Sequence, residues 1–191
     1  MATTATDNSH ARVGRDLLAR LFAFPDPVNE IAARVVASGV VLVSVATVAL
    51  DSPVLRLALA YGFIARVLTG PTLSPLGQAA TRLVTPRLGL EPRPVPGPPK
   101  RFAQAIGALC SVTSAVLALG FGLTGAADLV LGALIVAATL ESAFGLCLGC
   151  KAFALAIRAG LVPGEICERC DDIWAGRGLP IHQEELKGNA L

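Results

Sequence analysis

The chain has 191 residues, of which 53% are hydrophobic and only 16% charged, with a mean hydropathy of +0.64. Ordinary soluble domains carry about 25% charged residues, so this balance excludes one and places the chain in a lipid bilayer. The net charge of +2 is too small to imply a nucleic-acid partner, and the scattered basic residues are accounted for by membrane topology instead.

Residues 1–10 (MATTATDNSH) are small and polar and read as a disordered tail. Residues 13–24 follow with Val13, Leu17, Leu18, Leu21 and Phe22 at helical spacing against Arg12, Arg15, Asp16 and Arg20, the pattern of an amphipathic helix in the membrane interface or of a packed helix. No secretory signal is expected, because the first long apolar segment starts near Ile31, after three arginines, with no early small-residue cleavage pattern. Residues 31–50 form the first expected span, with Arg34 near enough to one end to snorkel. Asp51-Ser52-Pro53 reads as a tight turn, and residues 54–68 as a short second span holding Arg56 and Arg66. Charges inside a span are costly. Arg56, beside the turn, is expected to reach water, whereas Arg66 needs a partner.

The connection at 69–101 is studded with proline. A short interfacial helix is expected at 76–84, and an extended polyproline-type spacer at 91–99 (EPRPVPGPP), because proline fixes the backbone and removes donors. Residues 102–123 make the third span, rich in Gly107, Ala108, Ala115, Gly120 and Gly122, which permit close helix packing. Cys110 within it reads as a small buried hydrophobe. A second tight turn ending at Asp128 leads to the fourth span at 129–147, which carries Glu141. A buried carboxylate at that depth pairs naturally with Arg66, either as an ion pair that pins two helices or as a relay or substrate anchor.

Lys and Arg number 4 before or at the start of the first span, 5 in the middle connection and 5 after the fourth, while the two tight turns carry none. The positive-inside rule is then satisfied by four spans with both termini in the cytoplasm. The expected architecture is all-α: an integral membrane four-helix bundle at 31–150, preceded by an N-terminal tail and interfacial helix at 1–30 and followed by a cytoplasmic, helical, cysteine-containing tail at 151–191.

The chemistry of the chain lies in its thiols. Cys147 and Cys150, then Cys167 and Cys170, make a C-x2-C-x16-C-x2-C pattern. That spacing suits one tetrahedral zinc ion held by Cys147, Cys150, Cys167 and Cys170, and it suits two dithiols that exchange disulfides or carry sulfur equally well. An odd total of five cysteines does not fit a secreted disulfide framework and favours a reducing compartment. Lys151 beside Cys150 favours thiolate, while Glu165, Glu168, Asp171 and Asp172 around the second pair disfavour it, so the first pair is the better nucleophile and the second the better resolving pair or metal hook. Gly160 is the expected end of a helix running on from the first pair, and Pro163 the start of a return limb. Trp174 suits an interfacial anchor, and His10 and His182 form no catalytic constellation.

Three motifs carry a resemblance: Gly70-Pro71-Thr72-Leu73-Ser74-Pro75 after the second span, Pro99-Lys100-Arg101-Phe102-Ala103 at the third, and the stretch from Leu140-Glu141 through Cys147-Leu148-Gly149-Cys150-Lys151 to Phe153. In these, over roughly residues 27–172, the chain resembles the bacterial membrane family known as domain of unknown function 4395. The resemblance implies a small four-helix protein of the bacterial inner membrane, with Cys147 and Cys150 as the thiol pair and a thioredoxin-like or rhodanese-like partner. The family's Asp-x-Arg-x-x-Arg at the start of the first span is replaced here by Asp26-Pro27-Val28-Asn29-Glu30. The functional expectation is a membrane-anchored thiol–disulfide or sulfur-handling protein with a soluble redox partner. The alternative is a non-catalytic, zinc-stabilised accessory subunit or assembly factor of a larger membrane complex, and a small transporter using Glu141 and Arg66 is a third reading.

Overall fold

The computed structural model describes residues 24–89 and 91–161. The expected amphipathic helix before Phe24, the return limb from Pro163, and Cys167, Cys170, Trp174, His10 and His182 lie outside the described residues.

The first two long helices begin and end at residues whose local chemistry explains it. Helix α1, Glu30–Leu50, starts where the Asn29 side chain accepts the Ile31 N–H at 3.0 Å, and it stops at Asp51, which takes a left-handed conformation with φ 42°. Helix α2, Pro53–Thr69, follows after that turn, with Ser52 as its cap and proline at its first position. Gly70, at φ 61°, ends it. Next comes a helical stretch assembled from α3 (Pro75–Gln78), a π-helical turn at Ala79–Val84 and α4 (Thr85–Leu88). It contains the helix expected at 76–84 and continues past it. Leu76 lies directly over Gly39 of α1, and Ala80 is almost fully enclosed, so one face of this stretch packs on the bundle.

The spacer expected at 91–99 does not form as an extended linker. Strands β1 (Val28–Asn29) and β2 (Pro94–Val95) pair antiparallel, and helix α5, Gly97–Ala115, already begins among the prolines. The physical reason is that prolines in a helix's first turn forfeit no hydrogen bond. Asp26 then supplies the missing cap by accepting the Gly97 N–H at 3.0 Å. Asp26 thus starts α5, and Asn29 starts α1.

Helix α5 continues through a π-helical turn at Val116–Gly120, and α6, Thr124–Phe144, completes the long elements. The fourth span therefore stops three residues short of Cys147, where a helix running into that cysteine was expected. Gly145 at φ 69° stops it, its N–H bonding the Glu141 carbonyl at 3.0 Å while the Leu146 N–H bonds Leu140 at 3.1 Å. The chain reorients, and α7, Leu148–Arg158, ends at the expected Gly160.

Helix α1 packs on α2 and α6, and α5 packs on α2, α6 and α7. Val36, Val40, Leu59, Phe63, Leu131, Leu134 and Ala138 form the core, and Gly107 of α5 lets the Phe63 ring of α2 close against its backbone. Three helices, Glu30–Leu50, Gly97–Gly120 and Thr124–Phe144, are long and apolar enough to cross a membrane, yet only 33%, 22% and 22% of their apolar windows is buried within the fold. Leu42, Leu50, Leu129 and Val136 instead point outward from the surface. Such a girdle is too extensive for a water-exposed face, and lipid is the environment that satisfies it.

Candidate functional site

Two ionic clusters sit at opposite ends of the core. Along α2 the buried residues run Arg56, Leu59, Phe63, Arg66, and along α6 the same register runs Asp128, Leu131, Leu134, Ala138, Glu141. At 1.5 Å per residue the apolar layer between the charged ends is about 15–20 Å thick.

At the end formed by the two tight turns, Arg56 is 1% exposed. It therefore does not reach water, in contrast to the expectation from its place beside the turn. Its guanidinium donates to Asp128 at 2.9 Å, to Asp51 at 3.3 Å and to the Ser114 hydroxyl at 2.7 Å. Asp51 of the first turn and Asp128 close over it and pair its charge. Asp128 lies within α6, where a tight turn was expected, because the helix already starts at Thr124.

The opposite end holds the thiols. Cys147 occupies the N-cap position of α7 in extended backbone, and its Sγ accepts the Cys150 N–H at 3.3 Å. The residue between them explains the close packing. A Cβ on Gly149 would fall 2.5 Å from Ala103 Cβ and 2.6 Å from Ala103 Cα, so only glycine lets the start of α7 lie this tightly on α5. Phe153 then packs against Phe102 with ring centroids 5.4 Å apart and planes tilted by 50°, and Cys147, Cys150, Phe153 and Ala154 form the buried face around the short helix. Ala103 lies one turn after Lys100 on α5, so the same docking brings the thiol pair to the lysine.

Lys100 belongs in the sequence to the topology-setting cations of the 69–101 connection. It is 7% exposed, and its ammonium donates to Glu141 Oε1 at 2.7 Å. The direct ion-pair partner of Glu141 is thus Lys100, while Arg66 lies near enough for its charge to act on Glu141 without touching it. Arg66 donates to Gln104 Oε1 at 2.9 Å and Ser74 Oγ at 3.3 Å and stacks on Phe63. The reason is register: the early start of α5 at Gly97 carries Lys100 into the fold, where a spacer would have left it in water. Its signal in the sequence was the Pro99-Lys100-Arg101-Phe102-Ala103 motif. Arg34, expected to snorkel, donates instead to the Ser142 and Ala143 carbonyls at 3.2 and 2.9 Å, closing the end of α6.

The two sulfurs differ in acidity. The hydrogen bond from the Cys150 side chain holds the Cys147 thiol below its ordinary range; burial and the Glu141 charge oppose this, while Lys100 and the Cys150 N–H assist it. Cys150 is pushed up, first by its hydrogen bond with Cys147 and then by burial. The more acidic thiol is thus Cys147 and the less acidic Cys150, and the thiolate is the nucleophilic form of either. As metal ligands, Cys147 and Cys150 offer two adjacent thiolates, and among the described residues no three His, Cys, Asp or Glu side chains gather for one ion. The two further donors of the zinc expectation, Cys167 and Cys170, lie outside the described residues. Cys110 is half-buried and packs against the core cluster.

The fold and this cluster define an all-helical membrane protein with a thiol pair set against a buried ion pair. The chain belongs to the family described as Domain of unknown function (DUF4395), whose model matches residues 28–158. The match contains Cys147, Cys150, Lys100 and Glu141 and ends before Cys167 and Cys170. No curated protein and no solved structure matches the chain.

Proposed function

We propose that this chain is a membrane-anchored thiol–disulfide or sulfur-handling protein whose exchanging pair is Cys147 and Cys150. The observation that carries the reading is Cys147 at the N-cap of α7, its sulfur accepting the Cys150 N–H at 3.3 Å within reach of the Lys100 charge. Cys147 attacks a disulfide of a soluble thioredoxin-like partner, or the outer sulfur of a rhodanese-like partner's persulfide, and Cys150 resolves the mixed disulfide or, in the second case, the Cys147 persulfide with loss of sulfide. The pair gives up two electrons and two protons, and the partner, or in the second case the departing sulfide, takes both. Run backwards, the same steps reduce the pair. Cys167 and Cys170 serve as a second, resolving pair.

The topology proposed with it has four spans, with α2 as the fourth crossing helix. Its 17 residues reach about 25 Å, enough when flanking arginines and turns complete the crossing. The distribution of Lys and Arg orients both termini, and hence the thiol end, toward the cytoplasm of a bacterial inner membrane.

The test is to purify the full chain in detergent, count its metal and free thiols, and equilibrate it with thioredoxin of known redox state. Reversible formation of a Cys147–Cys150 disulfide, lost in Cys147→Ser, supports the relay. About one zinc per chain that disappears in the Cys167→Ser/Cys170→Ser variant would overturn it in favour of a zinc-stabilised accessory subunit of a membrane complex.

A further inference from the structure

The resolving step poses a chemical problem that the cluster itself answers. Cys150 is 6% exposed, and as a buried thiol it must lose its proton before it can attack Cys147. Bulk water has little access there. Resting on the thiol-exchange reading, we infer that Glu141, held by Lys100, is the proton acceptor that activates Cys150, and that the Lys100–Glu141 ion pair is the proton-handling device of this protein.

The argument starts from geometry. Glu141 and Lys100 meet at 2.7 Å at the end of α6 and the start of α5, the two elements that flank the thiol-bearing loop and helix. The Gly145 turn returns the chain four residues after Glu141, and Gly149 seats α7 on Ala103, one turn from Lys100. Both thiols respond to the charges of both Lys100 and Glu141. Arg66 on α2 donates to Gln104 and Ser74 and also brings its charge to bear on Glu141, Arg34 and Glu30 of α1 lie beside the Gly145 turn, and Lys151 and Arg158 are the cations on α7 itself. Glu141 keeps 19% of its side chain exposed, an outlet for a proton, while Lys100 keeps only 9%.

Charge conservation makes the transfer feasible in a low-dielectric site. Before it, the pocket holds an ammonium, a carboxylate and a neutral thiol. Afterwards it holds the ammonium, a carboxylic acid and a thiolate. The net charge is unchanged, and Lys100 exchanges one anionic neighbour for another, so no uncompensated charge is created. In the full step, the S–H bond of Cys150 breaks and an O–H bond forms on Glu141. The Cys150 thiolate attacks Cys147 Sγ, the Cys147–Cys150 disulfide forms, and the partner sulfur leaves as a thiolate. Glu141 then returns the proton through its exposed edge. The partner's disulfide is reduced and the pair is oxidised, with two electrons transferred.

Glu141→Gln separates the two steps. Removing the carboxylate leaves Lys100 unopposed, so Cys147 should be alkylated by iodoacetamide at least as fast as in the parent protein. Resolution should slow by on the order of a hundredfold, the usual range for loss of a general base. The probe is oxidised glutathione added to the full chain in detergent, with the Cys147–glutathione mixed disulfide followed by mass spectrometry over a range of pH. Expected are a long-lived mixed disulfide in Glu141→Gln, a steeper pH dependence of its decay, and partial rescue by added formate or by Glu141→Asp. An unchanged decay rate and pH profile would overturn the assignment. Should Glu141→Gln not fold, the neutral pair Lys100→Gln/Glu141→Gln gives the same readout. Failure of the parent protein to form any Cys147–Cys150 disulfide with glutathione would sink the exchange reading itself, a result distinct from an unchanged decay.

Discussion

Replacing Arg56 with methionine removes one buried charge and leaves three groups that had closed around it. The Ser114 hydroxyl, fully buried, loses its 2.7 Å partner, at about 1–3 kcal/mol for an unsatisfied polar group. Asp128, 32% exposed, loses a 2.9 Å charge-assisted bond worth about 1.5–3 kcal/mol before solvent screening is deducted. Asp51 is 67% exposed and only 3.3 Å away, so its bond contributes about 0–1 kcal/mol. Against these losses stands the relief of keeping a guanidinium out of water, so the net destabilisation expected is about 2–3 kcal/mol. Denaturant unfolding in detergent micelles measures it, and double-mutant cycles apportion it. Coupling between Arg56 and Asp128 should exceed coupling between Arg56 and Asp51 by about 1 kcal/mol or more. A methionine variant as stable as the parent, or equal coupling to the two acids, would refute the clamp.

Other consequences follow from the thiol end. Gly149→Ala should force α7 off α5, because its Cβ would meet Ala103 backbone as well as side chain, and both Cys147 and Cys150 should then react with maleimide reagents several-fold faster. In the parent protein, iodoacetamide should modify Cys147 at a pH where Cys150 is inert, with peptide mass spectrometry as the readout. The sign of the linked stability is fixed by the lowered pKa of Cys147. Its contribution is present above the ordinary thiol range and disappears as pH falls through the lowered value, and Cys147→Ser should abolish that slope in unfolding measured against pH. Phe153→Ala, which removes the ring packed against Phe102, should cost about 3–5 kcal/mol locally and be seen as faster hydrogen exchange confined to α7.

Much of the fold was legible because helix lengths and ends are written locally. The apolar runs gave the positions of α1, α2, α5 and α6 to within a few residues, and Asp51-Ser52-Pro53 and Gly160 marked ends where the structure has them. What was misread involves residues whose role depends on something far away in the chain. The prolines at 91–99 looked like a spacer until Asp26, about seventy positions earlier, was seen to cap the helix they start. Arg56 looked solvent-bound because its shielding acid Asp128 and hydroxyl Ser114 come from other helices.

The site divides along the same line. Composition and apolar run lengths by themselves pointed to a helical membrane protein, and spacing alone singled out Cys147 and Cys150 together with Cys167 and Cys170, since a C-x-x-C pair is a local pattern. Glu141 was also visible, as a lone acid within a span. Only the tertiary structure decided that Lys100 is its partner, that Arg66 turns to Gln104 and Ser74, and that Gly149 seats the thiols beside the ion pair. Periodicity and capping depend on neighbours within a turn or two, whereas the pairing of buried charges is settled by helix register across the bundle, which no single segment of the chain contains.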